Sequence, residues 1–196
     1  MYHTEIYIKP STIEELKKSF WDIEKFEGFC KQCKNYGKVW SCPPYDFSIE
    51  EYIAKYKYIY IVGVKIVFDE DTLSSINTKE KISNYTNETL HFMKNKIMNE
   101  MLNLEKLYPN STSLSAGGCK LCKVCSKESN LKCLHPDLMR YSLESLGFDV
   151  GGISSKLLNF ELKWATETRL PDYFSLIAGI MTNEEISDLK ENINLK

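Results

Sequence analysis

Residues 57–68, KYIYIVGVKIVF, are tyrosine, isoleucine and valine with no breaker except Gly63. β-branched and aromatic side chains fit the pleated surface of a sheet, so this stretch is the strongest strand of the chain. Downstream, residues 78–108 carry Ile82, Tyr85, Leu90, Met93, Ile97, Met101, Leu104 and Leu107 at helical spacing. They predict one long helix with an apolar stripe, ended by Pro109 and Asn110. Upstream, residues 49–55 predict a short helix after Pro43 and Pro44, and residues 11–26 a longer one. Ser11 with Glu14 three residues later reads as the capping box of that longer helix. Ile13, Leu16, Phe20, Trp21 and Ile23 form its apolar side, and Gly28 stops it. Residues 2–8 form a short edge strand closed by Pro10.

Toward the C-terminus, residues 111–116 read as a strand leading to Gly117 and Gly118. Residues 136–146 read as a helix, with Pro136 in its first turn and Gly147 as its stop. Residues 159–165 alternate as a strand, and residues 173–181 are apolar enough for a buried one. Thr182 and Glu185 form a second capping box for a last helix. The expected fold class is α+β, a mixed sheet of about four or five strands with flanking helices. Two cysteine-rich metal loops, near 28–46 and 117–136, complete a single metal-binding domain over residues 1–196.

Composition narrows the function. The 25 basic and 27 acidic residues leave a net charge of −2, with no basic surplus of the kind nucleic acid needs. The 43% hydrophobic and 12% aromatic content excludes a disordered chain. The longest apolar run is interrupted by Lys65 and falls short of the ~20 residues of a membrane span. The N-terminal MYHTEIYIKP lacks the basic start and apolar core of a signal peptide, so the chain is expected to be soluble and cytoplasmic.

The chemistry lies in seven cysteines, Cys30, Cys33, Cys42, Cys119, Cys122, Cys125 and Cys133, which fall in two tight groups. An odd number cannot all pair within one chain, and thiols in a reducing compartment stay free. Free cysteine also packs as a small hydrophobe, but core packing gives no reason for two groups spaced in threes. Metal ligation does.

In the second group Cys119, Cys122 and Cys125 are spaced three apart, with Cys133 farther along. A 4Fe–4S cube takes three thiolates from one such loop and a fourth from beyond it. Mononuclear zinc more often takes two pairs from separate knuckles, and it stands as the alternative cofactor. Gly117 and Gly118 let the backbone approach the sulfurs. The first group, Cys30, Cys33 and Cys42, is one thiolate short of a closed site. A non-cysteine residue completes it, as in a zinc knuckle closed by histidine, or one position stays open on an iron that binds substrate. Because a cysteine near a proline ligates the other cluster in two-cluster ferredoxins, Cys133 can close either group. One cluster or two are therefore possible.

Around these groups, His135 can reach a metal or a cluster sulfur, whereas His3 and His91 read as ordinary surface or core residues. Tyr36, Tyr45 and Asp46 are weak ligands or plain loop residues. Arg140 is one of only two arginines; on a helix it shares a face with Glu144, as an exposed pair or as the holder of a small anionic ligand.

These motifs resemble a known family. Residues 30–44, Cys-x-x-Cys-x-x-Tyr-Gly-x-x-Trp-Ser-Cys-Pro-Pro, and residues 117–125, Gly-Gly-Cys-x-x-Cys-x-x-Cys, are similar to the signatures of a cysteine-rich family of predicted metal-binding proteins. Cys133, Pro136, Arg140, Ser142, Glu144 and residues 147–150 extend the likeness over nearly the whole chain, with departures in residues 69–110. The family is found mainly in anaerobic bacteria and archaea and has no defined reaction. The resemblance implies metal or iron–sulfur binding. Three functions follow as expectations: electron transfer to a redox partner protein, an enzyme that holds a small anionic substrate on an open iron, or a structural zinc scaffold. No nucleic-acid or membrane partner is expected.

Overall fold

The computed structural model describes residues 1–195, and it is organised on the stretch quoted first. β2 (Tyr58–Phe68) lies between β1 (Tyr2–Thr12) and β4 (Tyr173–Thr182), and β3 (Thr112–Leu114) adds to the far side of β4, giving the order β1-β2-β4-β3. All three pairings are antiparallel, with Tyr2 opposite Phe68, Tyr58 opposite Thr182 and Leu114 opposite Gly179. One parallel bridge joins Ser115 to Ser142. The helices are α1 (Ile13–Phe20), α2 (Ile23–Lys31), α3 (Ile49–Ile53), α4 (Glu70–Ser75) and α5 (Lys79–Leu107), with short turns of helix after β3. The fold is α+β.

Alternation along β2 sorts its side chains onto two cores. Val62, Val64 and Ile66 meet Met93, Ile97, Met101 and Leu104 of α5 on one face, with Ala178 and Ile180 of β4. On the other face Ile59, Ile61, Ile177 and Met181 meet Ile13 and Leu16 of α1, Ile53 of α3, and Leu143, Phe148 and Leu158. Among the described residues no helix is long and apolar enough to cross a membrane.

Several local expectations are corrected. β1 continues through Ser11 and Thr12, which pair with Ile59 and Tyr58, so the capping box is Thr12 with Glu15 rather than Ser11 with Glu14. Residues 11–26 are not one helix. Trp21 leaves the helix to bridge Phe148, its Nε1–H donates to the Leu146 carbonyl at 2.8 Å, and Asp22 caps a second helix. Gly28 is inside α2 rather than its stop, so Cys30 rides on a helical last turn. Residues 136–146 hold only the short 3-10 turn Glu144–Leu146, because the Ser115–Ser142 bridge draws that segment along the sheet. Arg140 and Glu144 therefore share no helical face. Residues 159–165 form no strand; Asn159 turns the chain at φ 60°. Thr182 closes β4 instead of capping a helix, and Glu185 accepts from the Tyr58 hydroxyl at 2.9 Å. α4, capped by Asp69, was not foreseen.

Candidate metal centre

The first cysteine loop is built by successive backbone turns. The Cys33 amide donates to the Cys30 carbonyl at 2.9 Å and the Tyr36 amide to that of Cys33 at 3.1 Å. Gly37, at φ 69°, donates to the Pro43 carbonyl at 2.8 Å, which folds the chain back so that Cys42 rejoins the pair. Burial pushes the Cys42 thiol up to about 11, against a lowering contact from the Ser41 hydroxyl; Cys33 and Cys30 raise it further. Cys30 is raised by burial, then by Glu144 and Cys33. Metal uptake by such thiols must expel their protons.

The second loop leaves β3 through Gly117, whose φ of 88° a side chain would strain. Cys119, Cys122, Cys125 and Cys133 then line one small cavity, with Trp40 from the first loop and His135 on its wall. Burial raises Cys119, a hydrogen bond from the Leu121 amide lowers it, and Cys133, Cys122 and Cys125 each raise it. Cys133 thus stands beside the second group.

The two loops are locked together. Ser41, fully buried, accepts from the Cys119 amide at 2.8 Å. The Trp40 indole donates to the Leu131 carbonyl at 3.1 Å. Lys127 donates to the carbonyls of Cys42 and Pro44 at 3.1 and 3.2 Å, and its ammonium sits 5.3 Å from the Trp40 ring centre. Cys42 Sγ lies 3.4 Å from where a Cβ on Gly118 would stand. None of these contacts between distant loops was legible in spacing.

The other candidates fall as follows. His135 is exposed at the four-cysteine cavity. Arg140 is engaged by Glu105 of α5 through Nε at 2.7 Å and Nη2 at 2.5 Å, while Nη1 donates to the carbonyls of Asp137 and Met139. His91 is exposed beside Asn95, and the His3 imidazole lies 3.6 Å from Glu5. Tyr36 donates to Glu27 and Tyr45 to the Ser41 carbonyl. The sequence gives no signal for Lys94, and Glu144 stands in it as a partner for Arg140 and as part of the family likeness. They flank Gly117 instead, at 2.9 and 3.7 Å from its would-be Cβ. Burial moves Lys94 down and Glu144 up, and the charge of each opposes that shift in the other.

All seven cysteines are free thiols. Among the described residues no three histidine, cysteine or carboxylate side chains form a group that holds a metal ion. A family model described as "Predicted metal-binding protein (DUF2284)" matches residues 21–181. No curated protein matches the chain, and no solved structure does.

Proposed function

The chain belongs to this family of predicted metal-binding proteins, and from that membership we propose that Cys119, Cys122, Cys125 and Cys133 hold a 4Fe–4S cluster in a cytoplasmic redox protein. The observation that carries the reading is the arrangement of four thiols around one cavity. An all-thiol donor set suits iron–sulfur or zinc and excludes magnesium, calcium and manganese. Thiolates on one zinc sit at ~2.3 Å from it and crowd together, whereas a cube takes its four thiolates on four separate irons. Three thiols at successive spacings of three with a fourth farther along, all lining one cavity, favour the cube.

Such a cluster supplies a one-electron couple. Its potential is set by burial, hydrogen bonds to sulfur and nearby charge, which here means Trp40, the Leu121 amide and Lys127. The surroundings also suit a redox partner protein. Val124, Leu131 and Leu134 are each at least 60% exposed in this segment, and its Lys120, Lys123 and Lys132 are exposed as well. Exposed apolar and basic side chains together suit a transient partner with an acidic face. Cys30, Cys33 and Cys42, packed alongside, form a second centre of three thiolates.

Anaerobic purification followed by iron, zinc and acid-labile sulfide analysis tests the reading. Iron with labile sulfide, lost on Cys122→Ser, is the expected result. Bound zinc without labile sulfide would replace the redox function with a structural one.

A further inference from the structure

β3 pairs with only Gly179, Ile180 and Met181, so the edge of β4 at residues 174–177 has no strand neighbour among the described residues. A cavity of about 240 Å³ opens against that edge, walled by α5, by Ala116 and Gly117, and by residues 162–165. Leu90, Leu162, Phe174 and Leu176 make its lining apolar, and Trp164, 73% exposed, stands on its wall. No cysteine lines it.

The polar groups of this cavity are unsatisfied in a telling way. The hydroxyls of Thr86 and Ser175 are buried and have no hydrogen-bond partner. They are the buried side-chain polar atoms without one among the described residues, and both belong to this cavity. Buried hydroxyls are normally paired. Ser175 lies on the strand face of Ile177, away from α5, whereas Thr86 stands on α5 with Leu90 on the side of Phe174 and Leu176, and there its orphan hydroxyl points to a missing ligand. Elsewhere on the wall Lys94 and Glu144 share the space beside Gly117, with no ion pair between them among the described residues. Lys94 and Thr86 are eight residues apart on α5, ~12 Å along the helix.

We propose that this cavity binds a free aromatic α-amino acid of the tyrosine type: the carboxylate on Lys94, the ammonium on Glu144, the ring over Leu90, Phe174 and Leu176, and the ring hydroxyl near Thr86. One cation and one carboxyl at the same end match a zwitterion. Lys163 also lines the cavity but is paired with Asp172 at 2.6 Å, so a dianionic phosphate would meet Lys94 and an adjacent acid. A residue inside a peptide carries no such pair of charges. A para-substituted ring on an amino-acid backbone spans two helical turns with a hydrogen bond at each end. At about 240 Å³ the space lies below the ~300–1,000 Å³ of drug-sized pockets and suits one amino acid. The site is independent of which metal the cysteines hold.

Titration calorimetry and saturation-transfer NMR on the anaerobically purified protein test this with L-tyrosine as the probe. Saturable binding is expected, with at least tenfold weaker binding of tyramine, which lacks the carboxylate, and of 3-(4-hydroxyphenyl)propionate, which lacks the ammonium. Lys94→Met should weaken tyrosine at least tenfold while bringing it level with tyramine. Leu90→Trp, which fills the cavity, should abolish binding with metal content unchanged. Absence of saturable tyrosine binding at millimolar concentration overturns the proposal. So does equal affinity for the two truncated analogues, or binding that survives Leu90→Trp in a variant folded by its circular dichroism.

Discussion

Ser41 looks unremarkable in sequence, a serine between Trp40 and Cys42. Its hydroxyl is nevertheless the fully buried acceptor for the Cys119 amide, a hydrogen bond that ties the backbone at the start of the second cysteine group to the first loop. Removing it leaves a buried N–H unsatisfied, which costs about 1–3 kcal/mol. Ser41→Ala should therefore lower the unfolding temperature and hasten metal loss to a chelator. Ser41→Thr, which restores the hydroxyl, should recover part of both. A variant with wild-type metal retention would show that the loops hold together without this bond. Gly117 works at the same scale, since its left-handed φ turns the chain while its missing Cβ leaves room for the Lys94 ammonium. The left-handed φ alone strains any other side chain, whereas the lysine end could swing aside.

At the scale of elements, the ion pair of Arg140 with Glu105 holds the second cysteine segment to α5. Glu105 accepts from two nitrogens of Arg140 and from the amide and hydroxyl of Ser113, with both charged side chains only about 15% exposed. Burial raises the Glu105 carboxyl, but the hydrogen bonds from Arg140 and Ser113 outweigh it and hold the group below its ordinary value. Breaking such a pair strands the guanidinium, so Glu105→Gln should cost about 3 kcal/mol in denaturant unfolding. The sign with pH follows from the lowered folded value. The contribution is fully present above the unfolded carboxyl range, near ~4.3, and is lost as pH falls through the folded value. The gap between wild type and Glu105→Gln should thus be widest at neutral pH and close in acid. A gap that stays constant down to pH 3 would assign the loss to packing instead. This contact also explains why residues 136–146 do not wind into the helix that Pro136 and Gly147 suggest. Arg140 reaches to α5, and Ser142 is bridged to Ser115.

Across the whole molecule, both hydrophobic cores are free of cysteine. The sheet and α5 bury Ile59, Ile61, Val62, Val64, Ile66, Met93, Ile97 and Met101 to 1% exposure or less. Chelation under reducing conditions should therefore leave the far-ultraviolet circular dichroism of sheet and α5 largely intact. The losses should be confined to residues 28–46 and 117–136, as read by hydrogen exchange. Global loss of structure on chelation would show that the metal end carries the fold.

The strongest elements were legible because their signals are local. β2, β4 and the 29-residue span of α5 follow from β-branched runs and a 3.6-residue stripe that no neighbour can overrule. The two cysteine groups are legible for the same reason, since ligand spacing is written along the chain. The rest depended on partners far away in sequence. Ser11 became strand because β2 offered it a pairing partner, and Trp21 broke a helix to reach Phe148 and Leu146. The junction of Ser41 with Cys119 joins residues 78 positions apart and the pair of Arg140 with Glu105 residues 35 apart, and the cavity gathers Thr86 and Lys94 of α5 with the distant Glu144 and Ser175. Chain spacing carries ligand types and periodicity; which distant groups meet is decided only when two cores close around one sheet and every buried polar atom must find a partner.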